Sequence, residues 1–146
     1  MPQTTFRWNR SIAPLLLVLL SITLPGCDRG IRRIPVSGTV TLDDKPLQGG
    51  VLSFQADESK GNTVRASCTG PVKDGRYTLV TSGVTRKDTG SGAPLGWYKV
   101  ILLNDLPGTP IINVHSKYLS PETTPLSIEI VENPQPGAYD IKLTTK

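Results

Sequence analysis

Few side chains in this 146-residue chain can do chemistry: there are two thiols, Cys27 and Cys68, and one imidazole, His115. A side-chain nucleophile needs a base within hydrogen-bond reach, and the sequence pairs His115 with none. His115 therefore reads as a solvated or hydrogen-bonded loop residue. The acidic pairs Asp43-Asp44 and Asp57-Glu58 carry oxygen ligands of the kind Ca²⁺ takes, but neither sits in an Asp-x-Asp-x-Asp-Gly spacing. They read as solvated turn carboxylates, with no metal or cofactor expected. What remains is covalent modification of a thiol.

Cys27 closes a segment laid out like an export signal. Arg7 and Arg10 give a positive start, and Ile12 to Ile22 (IAPLLLVLLSI) is an apolar run too short for a comfortable membrane span. Leu24-Pro25-Gly26-Cys27 follows, and it resembles the lipobox of bacterial lipoproteins. The resemblance implies that diacylglycerol is added to the Cys27 thiol. The signal peptidase for lipoproteins would recognise Leu24 and Gly26 and cut after Gly26, leaving an amino group open to acylation. Two or three acyl chains anchor a protein stably where one binds marginally. The competing reading is an ordinary cleaved signal, or an uncleaved anchor, with an accidental cysteine. If Cys27 carries lipid, Cys68 has no partner for an intrachain disulfide. Cys68 then reads as a small hydrophobe in a strand, against an intermolecular disulfide or a reactive thiol.

Removing a leader of 26 residues leaves 120, the size of one domain. The net charge of +4 shrinks with it, because the remaining chain holds 14 basic and 12 acidic residues. From Ile34 onward there are 11 of each, so the globular part is neutral. A nucleic-acid binder would carry a basic patch on its fold, and none is expected here. Arg29, Arg32 and Arg33 instead crowd the anchor, where each suits anionic headgroups at roughly 1 kcal/mol. The organisation that follows is a signal peptide over 1–26, a lipidated cysteine and basic tether over 27–34, and one domain over 35–146. It predicts a lipid-anchored protein of the cell envelope, with inner and outer membrane both open.

The elements that position everything else are short strands. Gly (14) and Pro (13) abound among Thr, Val, Ile and Leu, which suits strands joined by tight turns, an all-β class. Val36 to Leu42 alternates Val36, Gly38, Val40 and Leu42 against Ser37, Thr39 and Thr41. Val51 to Ala56 turns Leu52 and Phe54 inward. Thr63 to Thr69 leads through Lys73-Asp74-Gly75-Arg76, where Gly75 supplies a positive φ, to an antiparallel return over Arg76 to Val80. Ser82 to Ala93 has no period and reads as a loop. Trp97 to Leu103 is apolar on both faces, the mark of a strand covered on both sides. Asn104 to Pro125 reads as an irregular crossing with one helical turn near Ser116 to Leu119. Leu126 to Val131 and Tyr139 to Leu143 complete seven strands, with Tyr77, Leu79, Val100, Leu102, Ile128, Ile130 and Ile141 in the core.

Val36-Ser-Gly-Thr-Val-Thr-Leu-Asp-Asp-Lys-Pro-Leu47 and Gly70-Pro-Val-Lys-Asp-Gly-Arg-Tyr-Thr-Leu79 resemble the carboxypeptidase-regulatory-like, transthyretin-like domain. That domain has a V-x-G-x-V strand, a D-G-K-P-L turn and a D-G-x-Y hairpin. Asp44 stands where the turn usually has Gly, which predicts a different turn type. Pro94, Gly96, Tyr98 and Val100 match the P-x-G-x-Y-x-V strand of small lipoproteins of this sort, and Val114 to Tyr118 partly matches their I-P-x-K-Y segment. The resemblance implies a seven-stranded Greek-key β-sandwich of the transthyretin (prealbumin) type, following a signal helix and a short tether.

Enzymes of that fold do not match this chain. Zinc carboxypeptidase chemistry takes two His and a carboxylate, and dioxygenase-like iron sites take two His with two Tyr. The hydroxyisourate hydrolases carry several His and a Y-R-G-S tail, where this chain ends Leu143-Thr-Thr-Lys146. The expectation is a non-catalytic surface module that binds a protein or glycan partner or serves structure. A glycan-binding accessory domain and an unrecognised hydrolase are the alternatives. Trp97, Tyr98, Tyr118 and Tyr139 are the aromatics available to a sugar platform, and a core accounts for three of them.

Overall fold

The computed structural model describes Met1, residues 30–104, Pro107 and residues 111–146. The residues of the cleavage motif, Leu24 and Gly26, the acylation candidate Cys27 and the tether's Arg29 lie outside the described residues. The described chain forms β1 (Ser37–Leu42), β2 (Lys45–Pro46), β3 (Val51–Ala56), β4 (Ser67–Pro71), β5 (Arg76–Thr78), β6 (Val80–Ser82), β7 (Gly90–Ser91), β8 (Gly96–Leu103), β9 (Ser127–Ile130) and β10 (Ile141–Leu143). Its helices are three 3-10 turns at Glu58–Lys60, Arg86–Asp88 and Ser116–Leu119, the last where a helical turn is expected.

The strands make two sheets. The smaller is built on β1, which pairs in parallel with β10 through Val40↔Ile141 and Leu42↔Leu143. β1 also pairs antiparallel with β5 over Ser37 to Thr39 and with β2 over Thr41 and Leu42. The larger runs β7-β6-β4-β3-β8-β9, with β3 and β8 paired over six residues from Val51↔Leu103 to Ala56↔Tyr98.

The expected strand Arg76 to Val80 is divided. Its first half, β5, joins the smaller sheet on β1, and β6 joins the larger on β4 through Ser67↔Ser82 and Thr69↔Val80. Leu79 makes the crossing: its N–H donates to the Val36 carbonyl at 2.9 Å and its carbonyl accepts from Gly92 at 2.8 Å. The alternation of inward Tyr77, Leu79 and Thr81 continues unbroken through the crossing, so period alone cannot reveal it.

Both short hairpins are of one kind. Asp74 (φ 50°) and Gly75 (φ 71°) are left-handed in succession, the type I′ geometry that matches strand twist. Asp43 (φ 48°) and Asp44 (φ 61°) do the same. Asp44 therefore adopts a left-handed conformation of the kind a glycine favours, and a short polar side chain tolerates it.

Phe54 joins the two sheets, with its ring 5.9 Å from Tyr77 and 6.3 Å from Tyr98 between centroids. Around it lie Leu52, Leu79, Val100, Leu102, Ile130 and Ile141, each at most 2% exposed. Ile128 departs from its expected core place: it is half-buried on β9, the outermost strand of the larger sheet. Ile101, on the opposite face of β8 from Val100, is also buried, so that strand is covered on both sides. Gly38 is required by close approach, since a Cβ there would stand 2.3 Å from the Tyr139 carbonyl oxygen.

Candidate functional site

The segment expected as a basic tether is stitched to the fold. Ile34 and Ala93 exchange backbone hydrogen bonds at 3.0 and 2.9 Å. The Ile31 N–H donates to Asp88 Oδ1 at 3.1 Å, and Arg33 Nη1 donates to the carbonyls of Ile31 (3.0 Å) and Lys87 (3.2 Å). Asp88 is held from the other side by Thr85, whose hydroxyl and N–H donate to Oδ2 at 2.7 and 3.3 Å. The Thr85 hydroxyl above all, then the Ile31 amide, holds the Asp88 carboxyl below its ordinary pKa. The signal for this docking is the Thr85-x-x-Asp88 capping spacing inside a segment whose composition says only loop. Arg32 is exposed and ion-pairs with Glu132 at 2.7 Å.

His115 is placed by the chain end. Its N–H donates to the Thr144 carbonyl at 3.0 Å, and its Nδ1 accepts from the Lys117 N–H at 3.1 Å, capping the Ser116–Leu119 turn. A ring nitrogen used as a cap is not free to act as a base. One carboxylate of each acidic pair is also engaged. Asp43 accepts from Thr145 N–H (3.2 Å) and hydroxyl (2.8 Å), and Asp57 accepts from Ser59 N–H (3.2 Å) and hydroxyl (2.6 Å). The Ser59 hydroxyl is the chief cause of a lowered Asp57 pKa. Among the described residues no cluster of three or more His, Cys, Asp or Glu is placed to hold a metal.

Of the four aromatics weighed for a sugar platform, Tyr98, Tyr118 and Tyr139 are buried. Tyr98 donates to the Pro94 carbonyl at 3.0 Å, and burial pushes its phenol up to about 12. Only Trp97 is half-exposed, and Lys60 Nζ sits 3.7 Å over its ring. Cys68 is a buried core residue with Sγ 3.4 Å from Thr81 Oγ1, and burial raises its thiol pKa, which lowers its reactivity.

Two open hollows of about 510 Å³ each lie among the described residues. One is lined by Leu42, Pro46, Leu47 and Ile112 with Asp43, Lys45 and Gln48, and the other by Pro71, Lys73, Asp74, Arg76, Tyr77 and Thr78. Neither contains a nucleophile paired with a base. No helix among the described residues is long and apolar enough to cross a membrane. Compared with known proteins, the chain matches no family model, no curated protein and no solved structure.

Proposed function

We propose that this chain is a bacterial lipoprotein whose acylated Cys27 holds a non-catalytic module, a Greek-key sandwich of the transthyretin type, at a membrane of the cell envelope. The observation that carries the reading is Leu24-Pro25-Gly26-Cys27 behind a leader with Arg7, Arg10 and the apolar run Ile12 to Ile22. Support for the sandwich comes from two sheets sharing the Phe54 core and from Gly38, whose missing Cβ the Tyr139 carbonyl requires. Support for a non-catalytic role comes from His115, whose Nδ1 caps a turn, and from carboxylates already satisfied by their neighbours. With three of four platform aromatics buried, a protein partner or a structural role is favoured over a glycan.

Metabolic labelling with a fatty acid tests the anchor. The wild type takes up label and sediments with membranes, while Cys27→Ser takes up none and is released. Label that persists in Cys27→Ser, or is missing from the wild type, refutes the reading.

A further inference from the structure

The anchor and the fold meet at one loop. Gly30 lies so close to the Arg86–Asp88 turn that a Cβ on it would be 2.4 Å from the Lys87 carbonyl oxygen. Extended chain covers at most about 3.6 Å per residue, so the stretch from Cys27 to Gly30 reaches no further than about 11 Å. A lipid on Cys27 thus enters the bilayer on the side of this turn, because the backbone from Cys27 to Gly30 spans at most about 11 Å.

The surface at that distance suits a membrane. Val84, next to the turn, is 86% exposed, and Val80 and Leu95, in the segments flanking β7, are among the other exposed large apolar residues. Arg86 and Lys87 on the turn and Arg32 on the tether are exposed. Among the described residues the carboxylates of Asp88 and Glu132 are occupied, Asp88 by Thr85 and Ile31 and Glu132 by Arg32, while Asp28 stands beside Cys27 in the sequence. The loop also closes on itself, since a Cβ on Gly83 would fall 2.1 Å from that of Asp88. An exposed apolar tip flanked by cations matches the headgroup–acyl boundary of an anionic bilayer.

We propose that the 83–88 loop is a second membrane contact, in which Val84 enters the interface and Arg86 meets anionic headgroups. The proposal rests on the lipid-anchor reading, and it fixes the orientation of the domain. β8 starts near the tether at Gly96 and ends at Leu103, about 24 Å further on. The Leu42–Ile112 groove and the Lys73–Asp74 turn then face away from the bilayer, toward any partner.

The experiment uses the full-length acylated chain in vesicles of phosphatidylcholine and phosphatidylglycerol. An environment-sensitive fluorophore is placed at Val84→Cys and, as the distal control, at Lys73→Cys, with acylation of each sample checked by mass. Brominated lipids should quench the label at 84 and spare that at 73, and Arg86→Glu should weaken the quenching at 84. In the unlabelled wild type, vesicles should slow amide exchange across 83–88 relative to detergent. An acylated chain with equal quenching at both sites, or with unchanged exchange at 83–88, overturns the proposal and leaves the anchor intact. A chain without acyl mass overturns both.

Discussion

The Tyr77 phenol donates to the Tyr139 carbonyl at 2.6 Å, tying β5 to the turn before β10 inside the core. The same carbonyl forbids a side chain at residue 38, so three segments far apart in sequence meet at one oxygen. Burial first, and the nearby Asp140 charge second, raise the Tyr77 pKa, so the phenol keeps its proton and remains a donor.

Tyr77→Phe should therefore cost about 1–3 kcal/mol, the range for leaving a buried acceptor without its donor. A urea titration should show a lower midpoint with an unchanged slope. An unshifted midpoint would mean that the Tyr139 carbonyl finds another donor.

Leu102 is 2% exposed, and Lys99 on the same strand is half-exposed on the other face. Leu102→Ala should lose about 2–5 kcal/mol, and Lys99→Ala about 0.5. Equal small losses in the two denaturation curves would contradict the register of β8.

Docking of the tether should depend on pH. Because the folded-state pKa of Asp88 is depressed, its contribution is fully present above the unfolded carboxylate value of about 3.9 and is lost as pH falls through the lower folded value. Amide exchange read by NMR should show Ile31 losing protection over that window while Ile34, held by the Ala93 carbonyl, keeps it. Asp88→Asn should remove the pH dependence at Ile31.

His115→Ala removes the acceptor for the Lys117 N–H and should cost about 1 kcal/mol, as for other lost caps. His115→Asn, which offers an oxygen at similar reach, should recover most of it. Both variants should keep whatever biological role the wild type has. Loss of that role in a folded, exported His115→Asn protein would restore the catalytic alternative.

Alternation within β1, β3, β8 and β9 was legible because each side chain has only two faces to choose between, and Leu52, Phe54, Val100 and Leu102 are inward as the period requires. Partner choice was not. Leu79 moves the chain between sheets without disturbing the period, and on the outermost strand β9 Ile128 is only half-buried while Ile130 on the same face is buried. The docking of the tether was not legible for a related reason. Arg33 looks like a headgroup ligand by type, yet its guanidinium donates to two backbone carbonyls, and nothing local to Arg33 names the Lys87 carbonyl as acceptor.

The parallel pairing of β1 with β10 sets the order in which this protein can be made. The Thr39 N–H donates to Asp140 and Asp43 accepts from Thr145 across separations of 101 and 102 residues. A chain made amino-terminus first presents β1 long before β10 emerges, and one edge of β1 stays open for that interval. Loop closure over such a span is slow, and an open edge is a template for strand addition from another chain. Synthesis of β1 and completion of its sheet are thus sequential for this domain. A chain that stops before Ile141 lacks the strand that pairs with this edge of β1, so the last few residues decide whether the smaller sheet is completed.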